Sequence, residues 1–463
     1  MKNRVRIGYW DRTCKTPLYF PGDSHLILTA SSGSGKGRDL LLGALMEQKS
    51  SALIVDTKGE LCCVSGRARS EMGELVVLSP FPVWPEHIGR FQHAGFNPLA
   101  VLNPRAKSFG VDCDAIAEAI VFHEGGGSDD SFFTDSARGL VSGVIMALAK
   151  YAPADKRNLV EMYRIITGPF FEFVAWALDR AKKCGDILLP GRLGRFGARK
   201  ADENRTLVSI KETAVTQIGF IGNEAIAESL NPRGHELRFS TLRRERTTVY
   251  LILPTEYLAA CAKWFRLVLV SAMTEFVRPE NQGGERVLVL LDEFKSAIGR
   301  LSIITQMMGI GRGYGVQLWP VLQDLNQLVE LYPRDWRTFL GNCGAQIYFA
   351  PRDSFTLEEI AKQIFVREIA VPRPQFSPVQ MWEQEGRTES PIGLGVHVDQ
   401  IPRPLMTNHE IASMGADSML VFAENLGVIL AGRKPYMKTR EYAGKFDPNP
   451  YHGNGRKKWF WGW

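Results

Sequence analysis

Residues 29–37 read TASSGSGKG, a glycine-punctuated loop that follows the apolar run HLIL at 25–28 and precedes the helical pattern RDLLLGAL at 38–45. A strand, a glycine-rich loop and a helix in this order let backbone N–H groups surround a phosphate at a helix N-terminus. The lysine at the end of the loop then reaches the terminal phosphates of a nucleotide. The order therefore predicts a nucleotide-binding loop, with a solvent-exposed turn that ends in Gly-Lys as the alternative.

This loop departs at two positions from the usual pattern G-x-x-x-x-G-K-[ST]. Ala30 stands in place of the first glycine, and Gly37 stands in place of the hydroxyl residue. Because that hydroxyl normally binds Mg²⁺, we expect the metal here to rely on water, phosphate oxygens and a carboxylate elsewhere in the chain. The predicted ligands of ATP in this loop are Ser32, Gly33, Ser34, Gly35, Lys36, Gly37 and Arg38.

A second motif supplies the carboxylate. Residues 286–294 read RVLVLLDEF, an apolar strand that ends in two acids. This is the form of the Walker B strand of P-loop ATPases, so we assign Asp292 to Mg²⁺ and Glu293 to the attacking water. On its own, such a strand end is more often purely structural. Paired with the loop at 29–37, it favours nucleotide hydrolysis.

Length and composition fit a large globular enzyme. The chain has 463 residues, of which 45% are hydrophobic and 23% charged, so it can bury a core and is neither disordered nor fibrous. The seven cysteines are odd in number and lack paired metal-ligand spacing, which predicts reduced thiols without a disulfide framework or a zinc site. The formal net charge of +6 is compatible with nucleic-acid binding but does not require it.

The sequence gives no sign of a membrane span or a secretory signal. We find no uninterrupted apolar stretch near the roughly 20 residues that cross a bilayer, and the polar start MKNRVR leads into no signal-type segment. The sequence as it stands therefore predicts a cytoplasmic chain.

Strand and helix patterns alternate at the start of the chain. Strand-like runs at 26–30, 51–56 and 74–79 are separated by helical segments, which predicts a mostly parallel α/β sheet. Helical patterns take over from about residue 107 to 235, with segments at 112–122, 134–151, 159–166 and 170–183. Strand patterns then resume at 247–253, 287–291, 317–322 and 345–350.

This order predicts a nucleotide-binding domain that is interrupted by an inserted all-α domain. We predict its first part at residues 1–106, the all-α insertion at 107–235 and its second part at 236–463. The proline-rich stretch 372–391 is interpreted as an irregular excursion or a hairpin rather than a linker.

Three further elements fall next to these strands. In DTKGE at 56–60, Lys58 lies within reach of a nucleotide and joins the predicted binding residues, with a solvated turn as the alternative. In GIGRGYG at 309–315, Arg312 is either ordinary surface or, in a ring of ATPases, a residue that enters the neighbour's site. In VLQD at 321–324, Gln323 senses the γ-phosphate or orients water, or the aspartate after it merely caps the next helix.

Taken together, these motifs resemble the TraG-type coupling ATPases of conjugative type IV secretion systems. The resemblance rests on GKG at 35–37, DTKGE at 56–60, LLDEF at 290–294, GRGYG at 311–315, QD at 323–324 and NCG at 342–344, and near the C-terminus on RPLMTNHEI at 403–411 and GRKPY at 432–436. It covers nearly the whole chain. Many members of that family also carry glycine after the P-loop lysine, so Gly37 supports the resemblance.

The resemblance implies a RecA-like P-loop NTPase that assembles as a homo-hexameric ring, hydrolyses ATP with Mg²⁺ and pumps DNA at a secretion channel. It implies as partners a relaxase with its attached DNA and components of the channel. By their motifs, Lys36 would bind phosphates, Asp292 Mg²⁺ and Glu293 the attacking water, Arg312 would act in trans as a finger, and Gln323 would be the sensor.

Such proteins usually begin with transmembrane helices, whereas this sequence reaches its P-loop strand at residue 25. We therefore expect it at the cytoplasmic face of the bacterial inner membrane through partners or through a missing N-terminal segment. Two other functions stay open. One is an ATP-regulated adaptor that recruits protein substrates for secretion, and the other is a DNA translocase unrelated to conjugation.

Overall fold

The computed structural model describes residues 4–122, 128–198, 201–364, 366–376, 394–404 and 406–451. The strands are β1 Val5–Tyr9, β2 Pro17–Phe20, β3 His25–Ala30, β4 Ser51–Asp56, β5 Glu74–Leu78, β6 Gln92–Ala94, β7 Thr247–Ile252, β8 Val287–Leu291, β9 Val316–Leu322, β10 Cys343–Phe349, β11 Val366–Phe376, β12 Leu394–Pro404, β13 Ser418–Ala423 and β14 Gly427–Gly432. The α-helices are α1 Leu42–Glu47, α2 Glu60–Ser70, α3 Pro85–Ile88, α4 Phe109–Ile120, α5 Ser128–Tyr151, α6 Leu159–Thr167, α7 Phe170–Cys184, α8 Leu188–Leu193, α9 Arg205–Ile218, α10 Glu224–Leu230, α11 Thr241–Arg244, α12 Leu258–Val277, α13 Phe294–Ala297, α14 Ser302–Ile310, α15 Leu325–Leu331, α16 Trp336–Gly341, α17 Ser354–Gln363 and α18 Asn408–Ala412.

Twelve of these strands form one sheet, in the order β2-β1-β14-β13-β10-β3-β9-β8-β4-β7-β5-β6. The eight strands from β10 to β6 are all parallel, and the other four add to the β10 side as antiparallel neighbours. Every residue of β3, β4, β7 and β8 is buried. Helices cover both faces of such a sheet, which is why these strands read as continuous apolar runs in the sequence. The predicted α/β fold with a mostly parallel sheet is confirmed.

The two faces of the sheet pack into two hydrophobic clusters. Successive side chains of a strand point to opposite faces of the sheet. Leu53 and Val55 therefore belong to one cluster, and Ala52 and Ile54 belong to the other. The first cluster contains α12 and the helices between residues 109 and 230, and the second contains α1 and α2. The P-loop helix and the helical region thus lie on opposite faces.

Helices α4 to α10 occupy the span that we predicted as an all-α insertion. No strand interrupts this span in the part of it that the structure describes. Its buried side chains share one continuous cluster with a face of the sheet. The boundaries at 107 and 235 therefore stay a prediction, because packing does not separate the helices from the sheet.

The chain ends contribute an antiparallel extension that the sequence patterns did not reveal. β1 pairs with β14 through Tyr9 and Gly432, so the first and last described strands are neighbours. β13 then joins this extension to β10 of the parallel sheet. A separate hairpin of β11 and β12 includes residues 372–376 of the proline-rich stretch, and the rest of that stretch, residues 377–391, lies outside the described part of the chain.

Two helical segments are long and apolar enough to cross a membrane by length and composition, in contrast to the expectation that the sequence holds no such stretch. They are Phe132–Tyr151 and Thr255–Val277. Both are mostly buried inside the fold, as expected for core helices of a large domain.

His25 gives the fold a measurable pH dependence. It begins β3, is 2% exposed, and its Nδ1 accepts a hydrogen bond of 3.0 Å from the backbone N–H of Leu318 in β9. Burial lowers its pKa from 6.5 to about 4, so the folded chain keeps this imidazole neutral at pH 7. As the pH falls from about 6.5 towards about 4, the unfolded chain binds the proton first, and the free energy of unfolding decreases.

We predict that His25→Asn, which retains an acceptor and does not titrate, removes this component of the pH dependence. Urea unfolding between about pH 7 and about pH 4 would measure it for both proteins. Identical slopes in the two proteins would contradict the prediction.

Candidate functional site

Four loops meet at the carboxyl edge of the parallel sheet. The glycine-rich loop follows β3, the loop of Lys58 follows β4, Asp292 and Glu293 follow β8, and Gln323 follows β9. β9 lies between β3 and β8, and β4 lies on the other side of β8. Carboxyl ends of parallel strands share one edge, where open α/β sheets bind their ligands.

Lys36 is the centre of this site. Its Nζ lies 3.0 Å from Oδ1 of Asp292 and 2.6 Å from Oε1 of Glu293. Burial lowers the pKa of Lys36, but the two carboxylates outweigh it, so the pKa lies above its ordinary value. Burial raises the pKa of Glu293, but the Lys36 ammonium outweighs it, so that pKa lies below its ordinary value. Both groups are therefore charged at neutral pH.

Glu293 is held in an uncommon backbone conformation. Its φ of 51° and ψ of 47° lie in the left-handed region, which costs a residue other than glycine about 1–3 kcal/mol. The residue immediately precedes α13, and its Oε2 accepts a hydrogen bond of 3.3 Å from Nε2 of Gln323. Lys36 and Gln323 thus orient the two carboxylate oxygens separately.

The loop itself fits a nucleotide's phosphates. Gly33 and Gly35 have φ of +74° and +88°, which glycine adopts without strain. The chain then enters the helix through a π-helical turn, Gly37–Leu41, that leads into α1. Ser32, Gly33 and Arg38 are exposed, whereas Ser34 to Gly37 are partly buried.

Two buried oxygens in the site lack a hydrogen-bond donor. Ser34 Oγ has no hydrogen-bond partner, and Asp292 Oδ1 has only its ion pair with Lys36, without a hydrogen bond of regular geometry. The Ser34 hydroxyl lies in the glycine-rich loop and can donate a hydrogen bond to a phosphate. The Asp292 carboxylate oxygen lies just after β8 and is the kind of ligand that Mg²⁺ prefers. A Cβ on Gly37 would meet nothing within 4 Å, so the absence of a hydroxyl there is not imposed by space. The residues present fit Mg²⁺ with Asp292 as its protein ligand.

The loop after β4 brings one predicted residue and one that we did not predict. Lys58 is exposed, and its charge helps to lower the pKa of Glu293, which places it beside the site. Asp56 is fully buried, and its Oδ2 accepts the backbone N–H of Cys62 at 2.8 Å. Burial, together with the charge of Asp292, raises the pKa of Asp56 to about 7. The sequence could have indicated this residue, because Asp56 is the last residue of an apolar strand that precedes a site loop.

Arg312 does not join the site of its own chain. It lies in the turn before β9, at the amino edge, and β9 spans seven residues or about 20 Å from that edge to Gln323. The side chain is exposed and lines a cavity of about 530 Å³ together with His25, Asn342 and Glu424. Among the residues that the structure describes, its guanidinium makes no hydrogen bond or ion pair.

Arg38 belongs to a network of ion pairs and hydrogen bonds below the loop. Its Nε and Nη2 donate to the two carboxylate oxygens of buried Asp39, at 2.6 Å and 2.9 Å. Arg433, which follows β14, approaches the same carboxylate at 3.5 Å and donates to the carbonyl of Ser34 at 2.5 Å. In the sequence, Arg433 stands out only as part of the GRKPY motif at 432–436. No local pattern could connect it to a loop 399 residues earlier in the chain.

The glycines of the loop differ in how well they tolerate replacement by a residue with a Cβ atom. We predict that Gly35→Ala lowers the free energy of unfolding by about 1–3 kcal/mol, because φ is positive and the new Cβ would lie 2.8 Å from Oδ2 of Asp39. Gly37→Ala is the matched control, since its Cβ enters open space and its φ is negative. Thermal unfolding of both variants measures the difference, and equal melting temperatures would contradict the prediction.

Comparison with known proteins gives consistent results. Residues 2–450 match the family described as type IV secretory system conjugative DNA transfer. The chain is 26% identical over 399 residues to VirD4 of Rhizobium rhizogenes, an alignment that covers 82% of this chain and 56% of VirD4. It is 23% identical over 455 residues to the conjugal transfer protein TraG of Escherichia coli, covering 92% of this chain and 69% of TraG. The chain thus spans little more than half the length of the VirD4 relative.

Solved structures show the same fold. The unbound bacterial conjugative coupling protein TrwBΔN70 superposes with a TM-score of 0.62 at 15% identity, covering 92% of this chain and 90% of that one. TrwB in complex with ADP and Mg²⁺ superposes with a TM-score of 0.59 at 15% identity, covering 89% of this chain and 85% of that one.

Proposed function

The chain belongs to the type IV secretory family for conjugative DNA transfer, and from this membership we propose that it is an ATP-hydrolysing coupling protein. In this role it recruits relaxase-bound DNA to a type IV secretion channel and helps to translocate it. The observation that carries the proposal is the contact of Lys36 with both Asp292 and Glu293, at 3.0 Å and 2.6 Å. It joins the phosphate-binding loop to the two acids that hydrolysis requires.

Each residue of the site has a part in this chemistry. The loop N–H groups and Lys36 bind the phosphates of ATP, and Asp292 holds Mg²⁺. When bound, Mg²⁺ neutralises charge on the phosphate oxygens. Glu293 is ionised at neutral pH, and it orients a water and accepts its proton as the oxygen attacks the γ-phosphorus. The bond to the bridging oxygen of ADP breaks, and phosphate is released.

The nucleotide and the metal follow from the site and from its structural neighbours. TrwB structures are described with ADP and Mg²⁺ and with a non-hydrolysable ATP analogue. Orphaned oxygens on Ser34 and Asp292 support the same ligands in this chain. We therefore assign ATP and Mg²⁺ to it.

The partners follow from the family. We propose DNA, a relaxase or relaxosome protein and components of the secretion channel, and we propose that the chain works at the cytoplasmic face of the inner membrane. Attachment there comes from partners or from a segment outside this sequence. The transfer role in the names of its TraG relatives supports this assignment.

We predict that the purified chain hydrolyses ATP and that DNA stimulates the rate. Lys36→Ala removes the phosphate-binding cation, and Glu293→Gln removes the base, so each lowers turnover by at least about 100-fold. Steady-state phosphate release with and without DNA measures both effects. Turnover that DNA leaves unchanged would contradict the motor and favour the adaptor function, and wild-type rates in both variants would contradict the site.

We further propose that Arg312 acts on the nucleotide of a neighbouring subunit in a homo-hexameric ring. Among the described residues no carboxylate pairs with its guanidinium, and the like charge of Arg286 acts against it. An exposed, unpaired guanidinium beside a cavity is suited to bind an anion from outside. In a ring, the phosphates on the next subunit supply that anion.

We predict that Arg312→Ala abolishes hydrolysis while nucleotide affinity changes little, and that mixing restores activity. Lys36→Ala subunits retain Arg312, and Arg312→Ala subunits retain Lys36, so an equal mixture contains intact junctions at about a quarter of its interfaces. The rate of phosphate release by the mixture measures the activity of these intact junctions. Arg334→Ala, another exposed arginine, serves as the control and should stay active. A mixture as inactive as its components would contradict action in trans.

A further inference from the structure

The buried arginine beneath the phosphate loop has no part in the chemistry described so far. Arg433 directly follows β14 and is 6% exposed. Its own backbone N–H donates to the carbonyl of Asp417 at 2.9 Å, which fixes the start of the side chain. The guanidinium then crosses under the loop between β3 and α1.

Three contacts hold this guanidinium in place. Nη1 donates to the backbone carbonyl of Ser34 at 2.5 Å and lies 3.5 Å from Oδ2 of Asp39. The guanidinium carbon lies 4.2 Å from the centre of the Phe349 ring. Asp39 and Phe349 are themselves buried, at the start of the P-loop helix and at the end of β10. Two of the three contacts are therefore made to buried residues of regular elements.

Arg433 acts on the peptide unit between Ser34 and Gly35. In a trans peptide, the C=O and the N–H point in opposite directions. Because Arg433 draws the Ser34 carbonyl towards the protein, the N–H of Gly35 points away from it, to the side where phosphates bind. No backbone acceptor among the described residues takes this N–H, whereas the Ser34 N–H donates to Ser31 O at 3.1 Å.

We propose that Arg433 is a positioning residue for nucleotide binding, which fixes the Ser34–Gly35 peptide so that the Gly35 N–H faces the phosphate groups of a nucleoside di- or triphosphate. The proposal rests on the proposed function for the class of ligand. It assigns to Arg433 no contact with the nucleotide. Preorganised N–H donors bind phosphate more strongly because the loop need not reorganise on binding.

Arg433→Met tests this proposal with little change in volume. Methionine can still pack on Phe349, but it cannot donate to the Ser34 carbonyl. We expect the dissociation constant for ADP, measured by titration in the presence of Mg²⁺, to rise about tenfold, as loss of one hydrogen bond from a charged donor implies. We expect KM for ATP to rise by a similar factor while kcat stays within about threefold of wild type, because the residues that contact the attacking water are unchanged.

Two further variants make the result specific. Arg433→Lys returns one charged donor but not the planar fork, so its ADP affinity should lie measurably below that of the wild type and above that of the methionine variant, which a purely space-filling role would not predict. Arg90→Ala removes an exposed arginine whose partner, Asp447, lies on the same C-terminal segment, and should bind ADP as the wild type does. Should the methionine variant fail to fold, the lysine variant carries the test, with a measurably weakened ADP affinity expected at an unchanged melting temperature.

The outcomes separate this inference from the proposed function. If the wild type and the folded Arg433 variants bind ADP equally well, the positioning role is wrong and the proposed function is unaffected. If the wild type binds ADP but hydrolyses no ATP, the proposed hydrolysis is wrong, and the affinities still decide the role of Arg433. A fall in kcat with KM unchanged would also overturn the positioning role.

Discussion

The ion pairs of Lys36 are the interaction on which the candidate site depends. One ammonium faces two carboxylates, within 3.0 Å of each, although the two motifs lie more than 250 residues apart in the chain. They meet because β9 lies between β3 and β8 and pairs with both. Val321 of β9 pairs with Leu28 of β3, and Pro320 of β9 pairs with Leu291 of β8. A slip of one residue in either ladder would exchange the side chains that the strand buries in the two hydrophobic clusters. The hydrophobic core therefore maintains the geometry of the charges.

Much of the fold and the site could be predicted because their signals are local. Buried parallel strands appear as apolar runs, and β4 and β8 have the bounds that were predicted for them, 51–56 and 287–291. Once Lys36, Lys58, Asp292 and Gln323 follow strands of one parallel sheet, their meeting at the carboxyl edge needs no further information. Asp324 also caps α15 by accepting the N–H of Gln327 at 3.0 Å, as one alternative for that motif predicts, whereas the role of Gln323 stays a prediction.

The remainder depends on contacts between distant parts of the chain. The pairing of β1 with β14 joins segments of ordinary apolar character, and nothing in either segment specifies the other. The same pairing brings Arg433 to the phosphate loop. The ionisation of Asp56 depends on complete burial, which a loop motif does not reveal. The position of Arg312 was accessible, because a turn that precedes a parallel strand must lie at the amino edge, opposite the phosphates.

The two edges of the sheet differ in charge in a way that suits head-to-tail assembly. The carboxyl edge carries Asp292 and Glu293 against Lys36, with Asp56 and Lys58 close by, and a bound nucleotide would add negative charge there. The amino edge presents Arg312 without a partner among the described residues. In the ring that we propose, contacts between unlike surfaces repeat around a closed circle, so each subunit offers one edge to each neighbour. In such a ring we expect Arg312, which has no partner among the described residues, to favour assembly when the neighbour's site holds a nucleotide.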